Sequence, residues 1–289
     1  MKNTKAIATI AIGEKYHANW KKFCEPNWKQ YGDKYGFDLF CLERPLDTSE
    51  RARARSVSWQ KCLILSQDFA GSYDRIVWID SDIMFNNACA PDITAGVPLD
   101  KFGAAKDASY YDTVCLKRAY KLWPGSVINY TPQEYYSNYG LPGDCDKVLN
   151  AGVMVLAPRF HRNILEHVYS AYEEKGGREW HMEMRPLSYE LVKADTVHWI
   201  DPRFNLMWPM EEIVRYPFLL PPPTPPQGLL ARIEKKIRTI RNSSSIRTLR
   251  AACLNAAFQS SFFLHFGGMR TDEMQMVNLR ATSWWDVMP

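Results

Sequence analysis

The 289-residue chain has no Cys-x-x-Cys pair, no visible internal repeat and no apolar run near the ~18 residues that a membrane span requires. Its seven cysteines (24, 41, 62, 89, 115, 145 and 253) are irregularly spaced. That disfavours both a zinc cluster and a disulfide framework. An odd number of scattered thiols suits a reducing compartment, so a cytoplasmic location is expected. Net charge is also small, with 36 Lys plus Arg against 32 Asp plus Glu. A balance of +4 is too mild to suggest a nucleic-acid partner. His161, His167, His181 and His198 show no ligand spacing. The apolar stretch Ala6 to Ile12 is short and runs into Glu14 and Lys15, so it reads as a buried strand rather than a signal peptide.

What is present is an alternation of strands and helices. KAIATIAIG is apolar enough for a strand buried on both faces. A helix is expected over 16–35, interrupted at Pro26 and ended by Gly36, before a second strand in FDLFCL. SVSWQKCLILSQDFAGS reads as a helix, and DRIVWID as a third strand ending in acid. FGAAKDAS, LNAGVMVLAP and DTVHWID supply further strands, with helices over PRFHRNILEHVYSAYEE and RPLSYELVKA. The expected class is α/β, with a mostly parallel sheet between helices. Seven of the fifteen tyrosines fall between 110 and 139, in an irregular aromatic-rich region. PPPTPP at 221–226 is a stiff linker, and SFFLHFGG a strand returning to the main domain. These features divide the chain into a main α/β domain over 1–220, a linker with a basic amphipathic segment over 221–260, and a returning segment over 261–289.

The sharpest chemical signal is Ile79-Asp80-Ser81-Asp82. Two carboxylates two residues apart leave the C-terminal end of a buried strand, where period-2 geometry brings them to one side. Ligands bind at that end of open α/β sheets. A hard divalent cation relieves the repulsion between the two acids and needs few protein ligands when phosphates supply the rest. A turn or helix cap is the plainer use of such a pair.

SWQKCLILSQDFAGSYDRIVWIDSDIMFNN resembles the DxD region of GT-A (Rossmann-like) glycosyltransferases, most of all the galactosyl transferase GMA12/MNN10 family (glycosyltransferase family 34), with family 8 more distant. Leu149-Asn150-Ala151-Gly152-Val153 resembles the "NAG" strand of the donor-sugar pocket, and Leu264-His265-Phe266-Gly267-Gly268 the late H-x-x-G element. The resemblance implies a retaining hexosyltransferase with a Mn²⁺ or Mg²⁺ cofactor, a nucleotide diphosphate sugar donor and a glycan or lipid-linked acceptor, as in polysaccharide biosynthesis. It implies that Asp82 and His265 ligate the metal, with Asp80 on the metal or the ribose. Thr9 and Ile10 would face the base, and Arg55 and Lys61 the phosphates or the base edge. Asn150 and Asp107 would hold sugar hydroxyls. Two departures stand out. The family's acid/amide pair appears as Ser188-Tyr189-Glu190, making Glu190 the candidate catalytic-face carboxylate. The KPW element is absent, leaving Arg270 to supply its cation.

Two other classes compete: a DxD phosphohydrolase, and a degenerate transferase fold that only binds sugar or membrane. The phosphohydrolase pattern puts its acids on the first strand with Thr or Val where this chain has Met84. Charge placement adds a possible partner. Seven cations (Arg232, Lys235, Lys236, Arg238, Arg241, Arg247 and Arg250) face Glu234 alone within 227–250, so the remainder of the chain is slightly acidic. A basic amphipathic helix of this kind reads as a peripheral contact with the anionic inner face of a membrane, or as a loop over the active site.

Overall fold

The computed structural model describes residues 3–107, 131–175, 182–220, 244–267 and 270–280. The aromatic stretch 110–130, the Pro-rich linker and the basic run 227–243 lie outside the described residues.

The first strand, β1 (Lys5–Ile10), leads through α1 (Glu14–Asn19), a π-helical turn (Trp20–Cys24) and α2 (Glu25–Tyr35) into β2 (Phe37–Leu42). The interruption expected at Pro26 is this π turn; Pro26 itself sits in the first turn of α2, where no backbone donor is needed. Gly36 ends α2 in the left-handed region at φ 73°, with its N–H on Gly32 O. A short α3 (Glu50–Arg53) precedes Val57–Ser66, where the helix expected from sequence is 3₁₀-helical. Trp59 to Cys62 are four consecutive buried residues, more than one amphipathic face provides. Trp59 donates to Glu174, Gln60 to Asp47 O and Lys61 to Ala151 O, so these side chains are anchored in different directions.

Next come β3 (Arg75–Ile79), β4 (Ile83–Phe85), β5 (Phe102–Lys106), α4 (Pro132–Ser137), β6 (Leu149–Leu156), α5 (Pro158–Ala171), α6 (Met184–Lys193) and β7 (Val197–Trp199). A 3₁₀ turn (Pro202–Asn205), β8 (Leu206–Met207), α7 (Trp208–Arg215), α8 (Ser244–Ser260), β9 (Phe263–His265) and a 3₁₀ turn (Thr271–Met276) follow, with short 3₁₀ turns also at Ala70–Ser72 and Pro217–Leu219.

The main sheet has the order β2-β1-β3-β6-β5-β7. It is mostly parallel: β6 alone runs against its neighbours, pairing Ile76 with Leu156 and Ile79 with Val153. Alternate residues feed two cores, as strand pleating requires. Val77 and Ile79 face Trp20, Trp28, Phe85 and Phe263, whereas Ile76 and Trp78 face Trp59, Leu65 and Leu165. SFFLHFGG does not rejoin the main sheet. Its strand β9 lies between β4 and β8 in a separate three-stranded sheet. Phe85 and Phe263 stack there with centroids 3.9 Å apart, a packing contact that favours this pairing. α8 adds Leu254, Ala257 and Phe258 to the first core. Among the described residues no helix is long and apolar enough to cross a membrane, and all six described cysteines are free thiols.

Candidate active site

The site lies where β3 leaves the main sheet and β4 enters the smaller one. Asp80 N–H bonds Gly152 O of β6, and Phe266 N–H bonds Asp82 O, so the DxD backbone is fixed to both sheets. β4 pairs Ile83 with His265, bringing that imidazole beside the second acid. His265 Nε2 lies 3.3 Å from Asp82 Oδ1, with both residues buried. Gly152 is required behind this pair: a Cβ there would come within 2.6 Å of His265 Cε1.

Asp80 is held differently. Its Oδ1 accepts from Trp78 Nε1 at 2.8 Å and lies 3.1 Å from Lys61 Nζ. Lys61 also meets Glu183 at 2.9 Å and Ala151 O at 3.3 Å. Burial alone would favour neutral Lys61, but the charges of Asp80 and Glu183 outweigh it and hold the ammonium. Burial raises the Asp80 carboxyl; Lys61 and His265 offset this in part, while Asp82 and Glu183 add to it. For His265, burial favours the neutral ring, yet the charge and hydrogen bond of Asp82 and the charge of Asp80 raise its pKa overall.

On the other side, His265 Nδ1 lies 2.9 Å from Asn205 Oδ1, Asn205 Nδ2 donates to Asn150 Oδ1 at 2.8 Å, and Asn150 Nδ2 donates to Asp107 Oδ1 at 3.0 Å. The structure therefore brings together Asp80, Asp82, His265, Lys61, Asn150 and Asp107 of the residues expected from sequence. It places Lys61 on Asp80 and Glu183 rather than toward solvent.

Five others lie elsewhere. Thr9 is fully buried, and its Oγ1 has no partner among the described residues; Ile10 packs in the second core. Neither side chain is presented to a base. Arg55 does not reach toward a phosphate: it donates to the carbonyls of Tyr169 and Tyr172, pairs with Glu173 and stacks on Trp59, locking the end of α5. Glu190 accepts from Tyr172 Oη two helical turns beyond Glu183, which is the acid that reaches the site. Arg270 pairs with Glu212 and Glu273. Glu183 and Asn205 escaped sequence reasoning because neither stands in a recognisable motif, and the contacts that give them roles span 122 and 60 positions.

Among the described residues no group of three or more His, Cys, Asp and Glu side chains forms a ready metal cage. The Asp82–His265 pair is a two-residue donor set whose facing atoms need a positive charge between them, whether a proton or a cation. That suits a divalent ion whose other ligands are phosphate and water.

The chain matches no protein-family model and no curated protein sequence. Solved structures do match its fold. A glycosyltransferase involved in glycosylation of the major capsid of PBCV-1 is 15% identical, with a TM-score of 0.50 over 94% of this chain and 100% of that one. An active-site mutant of LgtC is 14% identical, with a TM-score of 0.50 over 93% and 95%. The bifunctional glycosyltransferase WbbM is 12% identical, with a TM-score of 0.53 over 99% of this chain but 51% of its own. The chain thus spans about half of WbbM. Its fold is that of GT-A glycosyltransferases.

Proposed function

We propose that this chain is a metal-dependent glycosyltransferase that moves a hexose from a nucleotide diphosphate sugar, UDP-linked in the first instance, to a glycan or lipid-linked acceptor. The observation that carries the reading is the confrontation of Asp82 and His265 at the carboxyl end of β3, in a chain whose fold matches glycosyltransferases. Asp82 Oδ1 and His265 Nε2 would hold Mn²⁺ or Mg²⁺, which when bound supplies Lewis-acid stabilisation of the departing diphosphate. Lys61, held by Glu183, orients the Asp80 carboxylate toward the metal's ligands or the donor ribose. Asp107 and Asn150 line the adjoining side as hydrogen-bond groups for the donor sugar. Kinship with the GMA12/MNN10 family, and retention of anomeric configuration, belong to the same proposal. A phosphohydrolase reading gains nothing here, since Asp80 is engaged by Trp78 and Lys61.

On this reading water takes the place of a missing acceptor, so the donor should be hydrolysed slowly in its absence. A panel of UDP- and GDP-sugars incubated with and without Mn²⁺ should reveal one donor cleaved only with the metal. Neither binding nor turnover of any member would defeat the proposal. A further part is peripheral contact with anionic membrane through the basic stretch. Arg247 is exposed, but Arg250 is already paired with Glu212 and Glu273, so any contact rests on the other cations. Each contributes about 1 kcal/mol near an anionic surface. Replacing Arg232, Lys235, Lys236 and Arg238 with Ser should weaken co-sedimentation with anionic vesicles; unchanged binding excludes this segment as the contact.

A further inference from the structure

We propose that Asn205 is a positioning residue for His265, holding hydrogen on Nδ1 so that Nε2 can offer its lone pair to a cation held beside Asp82. This rests on the metal reading above, because without a cation the Asp82 carboxylate, which only accepts, draws hydrogen to Nε2 as well.

The hydrogen bonds from Asp107 to His265 have a direction imposed from outside. A carboxylate only accepts, so Asn150 presents its NH₂ group to Asp107 at 3.0 Å. A backbone N–H only donates, and that of Gly152 meets Asn150 Oδ1 at 2.9 Å. Two partners of fixed polarity therefore orient the Asn150 amide independently. With its oxygen turned to Asn205, the Asn205 amide must offer NH₂ to Asn150 at 2.8 Å. Its own oxygen then faces His265 Nδ1 at 2.9 Å. An amide oxygen cannot donate, so Nδ1 carries hydrogen. With Nδ1 as donor, Nε2, the atom 3.3 Å from Asp82 Oδ1, is the ring nitrogen whose lone pair can meet a cation beside that carboxylate.

The arrangement is enclosed. Asn205 is 1% exposed and His265 6%, so water competes poorly for either side of the ring. Gly152 confines the ring from behind. The chain of bonds also spans four segments: the exit of β5, the start of β6, the turn before β8, and the end of β9. It thereby couples the donor-sugar side of the main sheet to the histidine of the small sheet. Outer hydrogen bonds of this type orient metal-bound histidines and typically change metal affinity about 10- to 100-fold when lost.

Solution NMR of protein labelled with ¹⁵N-histidine and saturated with diamagnetic Mg²⁺ reads which ring nitrogen carries hydrogen; His265→Gln identifies the signal. Hydrogen on Nδ1 is expected in wild type and in Asn205→Asp, whose carboxylate still accepts from it. Asn205→Leu should lose that preference and, by calorimetry, bind Mn²⁺ about 10- to 100-fold more weakly. Hydrogen on Nε2 in the wild type, or a wild-type tautomer in Asn205→Leu, overturns the proposal. If Asn205→Leu does not fold, the wild-type and Asn205→Asp spectra decide. Wild type that takes up neither Mn²⁺ nor Mg²⁺ defeats the metal reading and this proposal with it, whereas wild type that binds the metal and shows hydrogen on Nε2 defeats this proposal alone.

Discussion

At the scale of single residues, two glycines separate packing from chemistry. A Cβ on Gly152 would meet the His265 ring at 2.6 Å, and one on Gly103 would meet Val155 Cβ at 2.8 Å. Gly152→Ala should displace the imidazole and lower donor turnover by about two orders of magnitude, as small misplacements of reacting groups do. Gly103→Ala should instead cost about 1–3 kcal/mol in denaturant melts and leave Mn²⁺ affinity unchanged. Equal effects of the two on metal binding would contradict this division. His265 also gives a pH signature. Although burial favours the neutral ring, Asp82 and Asp80 raise its folded pKa above the ordinary 6.5. Its stabilising contribution is therefore complete below that value and lost as pH rises through the folded pKa. Metal-free wild type should lose Tm relative to His265→Gln over that interval; parallel profiles would contradict the assignment. Asp80, Asp82, Asn150 and His265 were legible in the sequence because each stands in a short motif. Glu183 was not, because an acid between two methionines acquires its role only through Lys61.

At the scale of elements, what fixes the DxD turn is the join between α2 and β4. Asn27 accepts from Phe85 N at 2.6 Å and donates to Phe85 O at 2.8 Å, so one side chain stands in for a neighbouring strand. Trp28 Nε1 donates to Ile83 O, and Cys24 Sγ lies 3.3 Å from Ser81 O. Asn27→Ala would strand two buried backbone groups, each worth about 1–3 kcal/mol. A loss of about 2–4 kcal/mol by urea titration is expected, and a change below 1 kcal/mol would show that the side chain is dispensable. The inner strands of the main sheet were readable because a strand buried on both faces is continuously apolar. β4 and β8 were not, since two or three residues carry no period, and β9 looked like a core strand whichever sheet it joined. The 3₁₀ geometry of Val57–Ser66 was hidden for a related reason: its apolar residues suit either helix, and only the anchored polar tips distinguish them.

At the scale of the whole molecule, the C-terminal part is tied in by charge as well as by apolar packing. Glu212 on α7 is fully buried and pairs with Arg250 of α8 and with Arg270, while Glu273 pairs with both arginines and accepts from Trp208 Nε1. Glu212→Ala would leave two guanidiniums under-compensated, and breaking a buried pair from one side costs about 3–5 kcal/mol. Thermal unfolding should register that loss, whereas a Tm equal to wild type would mean that the cluster does not hold the segment. The sequence, which showed Arg270 only as a cation after the late histidine, held no sign of these partners, because the acids lie 58 and 3 positions away with no shared pattern.

Asp82 and His265 are proposed to form a divalent-cation site that serves a nucleotide diphosphate. Thermal shift with UDP, with and without Mn²⁺, tests this most directly. Ligand near a hundredfold excess over its Kd stabilises the fold by about 2.7 kcal/mol. Wild type should therefore gain Tm from UDP only when Mn²⁺ is present, and Asp82→Asn should lose that gain while keeping its unliganded Tm within a few degrees. A metal-dependent gain that survives in Asp82→Asn would contradict the account.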